Sequence, residues 1–247
     1  MALIHSLEKN GNLLFRYRGQ IPILIFLAAL PAIYYTDSSW VNETKYYVML
    51  GISIALSFAG FMVRAITIRT TPRNTSGRNT KEQIAEVVNK TGIYSTVRHP
   101  LYLGNYFMWI GIVFYTFNFW FVLVISLAYW IYYERIMFAE ERFLEKKFGD
   151  DYVSWSNSVP PFWPSFKNKI PSKIPFSLKS VLRREYSGFI ATVAGFVFVD
   201  IVRDWMSMPT FKFNMNYAWV FGIGLLITLV LRTLKKNTNI LEEDGRW

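Results

Sequence analysis

The apolar residues of this chain fall in long runs, and six of those runs read as helical spans. A helix that crosses a bilayer needs about 20 predominantly apolar residues. Residues 21–35 form a short run that holds Pro31, while 46–66 stays uncharged until Arg64. Residues 101–117 and 120–138 are split at Asn118, which predicts a tight helical hairpin. The run 187–206 is interrupted late by Asp200 and Arg203, a pair one turn apart that reads as a local ion pair at the outer interface. The run 217–231 ends in Arg232, Lys235 and Lys236. The predicted fold class is therefore all-α, a polytopic membrane bundle of about six transmembrane helices.

Basic residues give the bundle a sidedness. Lys9, Arg16 and Arg18 precede the first run, and Arg64, Arg69, Arg73, Arg78, Lys81, Lys90 and Arg98, against Glu82 and Glu86, lie between the second and third. Arg142, Lys146, Lys147 and the lysines of 167–179 follow the fourth, whereas the 36–45 link carries one lysine and the Asn118 turn none. With an even number of spans all basic segments share one face, and the positive-inside rule makes the protein multi-pass with both termini cytoplasmic. No small-x-small cleavage site follows the first run, so no cleaved signal peptide is expected. Five prolines between 160 and 175 mark a seam between a four-span front and a two-span tail. The expected division is 1–70, an N-terminal two-span region; 71–164, a core; and 165–247, a basic linker with the two-span tail. Residues 176–186 read equally as an interfacial helix or a solvated basic linker.

Composition narrows the chemistry. Of the 247 residues, 52% are apolar and 18% aromatic, and only 18% are charged, against about 25% in soluble domains. Disorder is excluded by the same figures. The absence of cysteine rules out disulfides, thiolate metal sites and cysteine nucleophiles, and two histidines, His5 and His99, cannot build a multi-histidine metal site. The net charge of +10 points to an anionic lipid surface as partner, with no nucleic acid, because the apolar runs place the chain at a membrane.

Polar side chains gather at two places that flank the predicted hairpin and so share one membrane face: residues 91–104 before its first arm and 133–149 after its second. In the first, Pro100 suits the opening turn of a helix, His99 its cap, and Tyr102 the next turn. In the second, Tyr133, Met137, Glu140 or Glu141, and Leu144 continue the helical period beyond the bilayer, and Gly149 supplies a stop. Glu140 is then expected one to two turns below the membrane, close to His99 and Tyr102. Singly, His99 reads as an interfacial cap, Glu140 and Glu141 as a solvated face, and Tyr102, Tyr106 and Trp109 as packing. Their convergence on one face is what suggests a site.

These residues resemble a known family. The run Gly-Ile-Tyr-Ser-Thr-Val-Arg-His-Pro-Leu-Tyr-Leu-Gly from Gly92, the helical hairpin, Glu140-Glu141, Phe148-Gly-Asp-Asp-Tyr152 and Val159-Pro160 are similar to the isoprenylcysteine carboxyl methyltransferase family, whose superfamily includes phospholipid methyltransferases. The resemblance covers residues 79–164. It implies a membrane methyltransferase that uses S-adenosyl-L-methionine, bound in a cytoplasm-facing pocket, on a lipid or lipophilic acceptor with a carboxylate, phosphate or amine head group. By the same resemblance the cofactor-binding residues are Tyr94, His99, Pro100, Leu101, Tyr102 and Glu140, with Val88 and Asn89 contributing through backbone. Arg135 is the expected substrate-binding residue, beside Ile136 where the prenylcysteine enzymes carry an arginine. Pro161 stands where many relatives have an arginine after Val-Pro. No metal is implied and no catalytic base is assigned, because methyl transfer to a carboxylate or phosphate oxygen needs only positioning and exclusion of water.

Two other readings use the same residues. Membrane sterol reductases share an Arg-His-Pro-like hairpin and bind NADPH, and a non-catalytic lipid-binding or transport protein could carry such a pocket. For a carrier, the two parts of the chain show neither a repeat nor paired broken helices.

Overall fold

The computed structural model describes residues 2–69, 83–172, 174–207 and 213–243, and among these it contains helices and no strand. Arg73, Arg78, Lys81 and Glu82, the expected boundary at 70/71 and the start of the resemblance at Asn79 lie outside the described residues.

Each apolar run forms a helix: α2 (Ile21–Tyr34), α3 (Glu43–Arg69), α4 (Pro100–Phe114), α5 (Phe119–Phe148), α7 (Leu178–Ser207) and α8 (Met215–Asn237). Two helices were not expected, α1 (Leu3–Tyr17) and the short α6 (Asp150–Ser156). Helices α3, α5, α7 and α8 are long and apolar enough to cross a membrane, and α1 and α2, bent by 82° at their junction, count as one more broken span. The expectation of about six therefore becomes four or five by length. Helix α4 is the short member: its 15 residues rise about 22 Å, less than the roughly 30 Å of a hydrocarbon core.

The helices are inside-out relative to a soluble protein. On α3 the small and polar Ser53, Ser57 and Gly60 face inward, while Ile52, Ile54 and Phe58 are exposed. Lipid-facing apolar residues and small interfacial ones are the arrangement expected where helices gain nothing by hiding greasy surface from each other. Glycines bring α3 and α4 together: a Cβ at Gly60 would stand 2.5 Å from the Gly104 carbonyl oxygen, and one at Gly111 2.3 Å from Ser57 Oγ. The Ser57 hydroxyl donates to the Met108 carbonyl across this seam at 2.9 Å.

Helix α1 lies along α5, with Gly11 against the Arg135 carbonyl, Phe15 buried, and the Tyr132 hydroxyl donating to the Leu14 carbonyl at 2.7 Å. Residues 178–186 are neither a linker nor a separate interfacial helix but the first turns of α7, which packs on α2, α3, α4 and α8. The proline-rich stretch after α6 straps the loop ahead of α4. Pro160 and Pro161 carbonyls accept from the backbone N–H groups of Arg98 and His99 at 2.9 and 3.1 Å, and the Ile170 carbonyl accepts from Gly92 at 2.9 Å.

At the far end of the bundle, Asp200 and Arg203 pair at 3.2 Å as read from their spacing. The pair is also part of a larger knot. The Tyr115 hydroxyl donates to Asp200 at 2.6 Å and meets the Tyr46 hydroxyl at 2.6 Å, and the Arg203 guanidinium lies 4.2 Å from the Phe117 ring centre.

Candidate functional site

The site is built on the hairpin of α4 and α5. Pro100 opens α4 with His99 at its cap, and α5 runs unbroken past the apolar segment to Phe148 before Gly149 stops it. Gly149 adopts φ +54, a left-handed conformation that costs a residue with a Cβ about 1 kcal/mol or more. The extension of α5 carries Glu140 and Glu141 to the level of the α4 cap.

There the expected residues meet. The Tyr102 hydroxyl donates to Glu140 Oε1 at 2.6 Å, and His99 Nδ1 faces Glu140 Oε2 at 3.5 Å. His99 Nε2 lies 2.9 Å from Glu141 Oε1, and Arg98 Nη1 donates to Glu141 Oε2 at 3.1 Å. Both ring nitrogens of His99 thus point at carboxylates. A neutral imidazole would set a lone pair against one of them, so the pairing selects the imidazolium. Burial opposes that charge, yet the hydrogen bonds to Glu140 and Glu141 outweigh it and hold His99 above its ordinary value. The cluster of Arg98, His99, Glu140 and Glu141 then sums to zero formal charge. Behind it stack Tyr102, Tyr133 and Tyr129, with ring centres 4.8 and 4.2 Å apart in succession, and the Tyr129 hydroxyl donates to the Tyr102 carbonyl at 2.7 Å.

This cluster forms one wall of a cavity of about 360 Å³, within the size range of small-molecule sites. Val88, Asn89, Tyr94, His99, Pro100, Leu101, Tyr102 and Glu140 all line it. Arg135 does not; it sits at the α1–α5 crossing, outside the lining. The arginines that do line the cavity are Arg18, Arg64, Arg98 and Arg184.

Several lining residues had no signal in the sequence. Trp155 comes from α6, which the Lys90–Asp151 ion pair ties to the Val88–Asn89 segment. Phe15 and Arg18 come from the overlooked α1 and its bend toward α2. Glu185 of α7 grips Arg64 of α3 with two bonds, to Nε at 2.6 Å and Nη2 at 2.7 Å, and Asn105 of α4 accepts from Arg64 Nη1 at 2.5 Å. A lone glutamate after two arginines reads as a solvated face; only its partner 121 residues away reveals otherwise.

The donor set fits a small polar molecule with an aromatic part. Glu140 offers a carboxylate, Tyr94, Phe143 and Trp155 offer ring faces, and Arg98 Nε and Trp155 Nε1 are buried with no partner among the described residues. A buried donor left unpaired is costly unless a ligand or water meets it. The described residues hold no group of three acidic or histidine side chains that could bind a metal.

Fold and site together define a class: a helical membrane protein with a cavity lined by the hairpin and its flanking segments. Residues 47–151 match the phospholipid methyltransferase family. Similar curated proteins are the protein-S-isoprenylcysteine O-methyltransferases of Schizosaccharomyces pombe, 32% identical over 42% of this chain and 47% of that protein, and of Saccharomyces cerevisiae, 29% identical over 49% and 50%. The nickel-cobalt-cadmium resistance protein NccN of Alcaligenes xylosoxydans xylosoxydans is 27% identical over 52% of this chain and 54% of its own. Through this region the chain is similar to membrane methyltransferases of the phospholipid and isoprenylcysteine types. It spans about half the length of the curated relatives it matches. No solved structure matches it.

Proposed function

We propose that the protein methylates a lipid or lipophilic acceptor with S-adenosyl-L-methionine at the cytoplasmic face of a membrane. The observation that carries this reading is the convergence of Glu140, Tyr102, His99 and Tyr94 on one cavity beneath the α4–α5 hairpin. When bound, S-adenosyl-L-methionine supplies a methyl group made electrophilic by its sulfonium. Glu140, 24% exposed and already oriented by Tyr102, would hold the ammonium; Arg98 would face the carboxylate; Trp155, Tyr94 and Phe143 would take the base. Val88 and Asn89 border the same space, and Pro100 and Leu101 form its floor. Tyr94 or Tyr102 can also face the sulfonium through cation–π attraction.

His99 orients the two carboxylates and takes no proton from the acceptor, because both its nitrogens are engaged and its charge is held. With no base at hand, an acceptor oxygen that is already anionic suits the cavity better than an alkylammonium that must first lose a proton. Arg135 does not line this space, so recognition of the acceptor falls to the arginines that do. The basic residues near the cavity, with Lys90 and Arg98 among them, support a cytoplasmic placement of this face and an anionic lipid surface beside it.

The test is a thermal-shift scan of the detergent-solubilised protein. S-adenosylhomocysteine should stabilise it and NADPH should not, since a ligand stabilises the state it binds. Glu140→Ala and His99→Ala should lose the shift while still inserting into membranes. Stabilisation by NADPH alone, or full shifts in both variants, refutes the assignment.

A further inference from the structure

The proline-rich strap after α6 has two unlike sides. One side is bonded to the loop ahead of α4. Besides the Pro160, Pro161 and Ile170 carbonyls, the Ser165 N–H donates to the Thr96 carbonyl and the Ile170 N–H to Ser95 Oγ, both at 2.9 Å. The other side shows Trp163 and Phe166, 60% and 70% exposed, together with Ile170, Lys167 and Lys169. Between them Phe162 is buried, its ring centre 5.4 Å from Trp130 and 6.1 Å from Tyr106. Trp130 stands about 12 Å of helix inside the end of the apolar run 120–138. The strap therefore meets the hairpin at the depth of its apolar segment, and Trp163, 5.5 Å from Phe162, is exposed there. Irregular backbone at that depth must have its polar groups satisfied. Here the bonds to the 92–99 loop do so, and the prolines at 160, 161 and 164 carry no N–H to satisfy. No acidic residue lies between Asp151 and Glu185, so Lys167 and Lys169 give this side a positive edge. Exposed tryptophan beside lysines that reach toward water is the pattern of a membrane interface.

We infer that residues 161–170 dock on the bilayer, with Trp163 and Phe166 among the acyl chains and Lys167 and Lys169 on the head groups of anionic lipids. The lipid contact also steadies the α4 cap, because the same strap holds the amides of Gly92, Arg98 and His99. Neither statement depends on the methyltransferase reading, and no readout below uses its cofactor.

The experiment uses the full chain in phosphatidylcholine nanodiscs with and without phosphatidylglycerol. The chain has no cysteine, so Phe166→Cys and Asp150→Cys each take a single fluorophore. Asp150, exposed beyond the far end of α5, is the control, and Ile170→Cys replaces Phe166→Cys should that variant fail to fold. Spin-labelled lipid should quench the strap label severalfold more than the label at 150, and dissolved iodide should do the reverse. Phosphatidylglycerol should slow hydrogen exchange of residues 92–99 severalfold, towards a limit of roughly thirtyfold set by two lysines at an anionic surface. Lys167→Gln with Lys169→Gln should abolish that slowing. A strap label quenched by iodide and not by lipid overturns the docking. One shielded from both is covered by protein, a second copy or another chain, and overturns it equally. Slowing that survives in the lysine variant overturns the head-group contact, and exchange at 92–99 indifferent to phosphatidylglycerol overturns the coupling to the cap.

Discussion

Glu141 joins the two cationic side chains of the α4 cap, and Glu141→Gln tests how the site is held. The carboxylate accepts from His99 at 2.9 Å and from Arg98 at 3.1 Å, and its side chain is 26% exposed. Each bond to a charged group contributes about 1.5–3 kcal/mol when buried; partial solvation and the acceptor oxygen that glutamine retains reduce the sum to about 2 kcal/mol. For a chain of this size that corresponds to a fall in Tm of roughly 4–8 °C. The effect depends on pH with a definite sign. His99 is held above its ordinary value of 6.5 by the two glutamates, so its stabilisation is fully present below that value and is lost as pH rises through the elevated one. The gap in Tm between wild type and Glu141→Gln should be widest between about pH 5 and 6.5, where the carboxylates are ionised, and should narrow in alkali. It should not close, because Arg98 keeps its charge. The assay is thermal melting across pH, together with NMR titration of the His99 imidazole. A wild-type His99 that titrates no higher than the ordinary value of 6.5, or a Tm gap that widens in alkali, refutes the reasoning.

Three further perturbations probe other parts of the argument. Gly111→Val drives a side chain into Ser57 Oγ and the Ser53 carbonyl, which a Cβ alone would approach to 2.3 and 2.5 Å; overpacking should cost about 3 kcal/mol, seen as a lower Tm and a broadened size-exclusion peak. Tyr102→Phe removes the 2.6 Å bond that orients Glu140 and should weaken S-adenosylhomocysteine roughly tenfold by calorimetry, with the fold preserved. Asp200→Asn leaves Arg203 facing an amide and weakens the acceptor of the Tyr115 hydroxyl; it should lower thermal stability by about 2 kcal/mol and leave S-adenosylhomocysteine affinity unchanged, because it acts at the opposite end of the bundle.

The sequence disclosed what is local or periodic. His99 before Pro100 announces a helix start, and Glu140 recurs in phase with Tyr133 and Met137, so a single hairpin brings both to one face; no long-range knowledge was needed. Helix α1 escaped because its polar residues, His5, Lys9, Asn12 and Arg16, break the apolar run that identifies a span, and its packing rests on Gly11 and Phe15 alone among its buried residues. Arg64, Asn105 and Glu185 escaped for a different reason. Their meaning lies in contacts across 41 and 121 positions, and such contacts leave no pattern in a single sequence. Arg135, the expected substrate-binding residue, does not line the cavity: it lies five residues before Glu140, about 140° round the helix from it.

The two polar clusters also explain why α4 can be so short. Its N-terminus is fixed by the His99–Glu141 and Tyr102–Glu140 bonds, its C-terminal cap by Tyr115, which reaches Tyr46 and Asp200. On α7 the corresponding anchors are Glu185 and Asp200, whose 15-residue separation is about 22 Å of helix, the same rise as α4. Helix α4 is therefore pinned at both ends by hydrogen-bonded charge, and α7 at two inner points of its 30 residues, each at a spacing below the roughly 30 Å of the hydrocarbon core. A helix held at one end can tilt or slide to meet the bilayer; one held at both ends keeps its register against its neighbours.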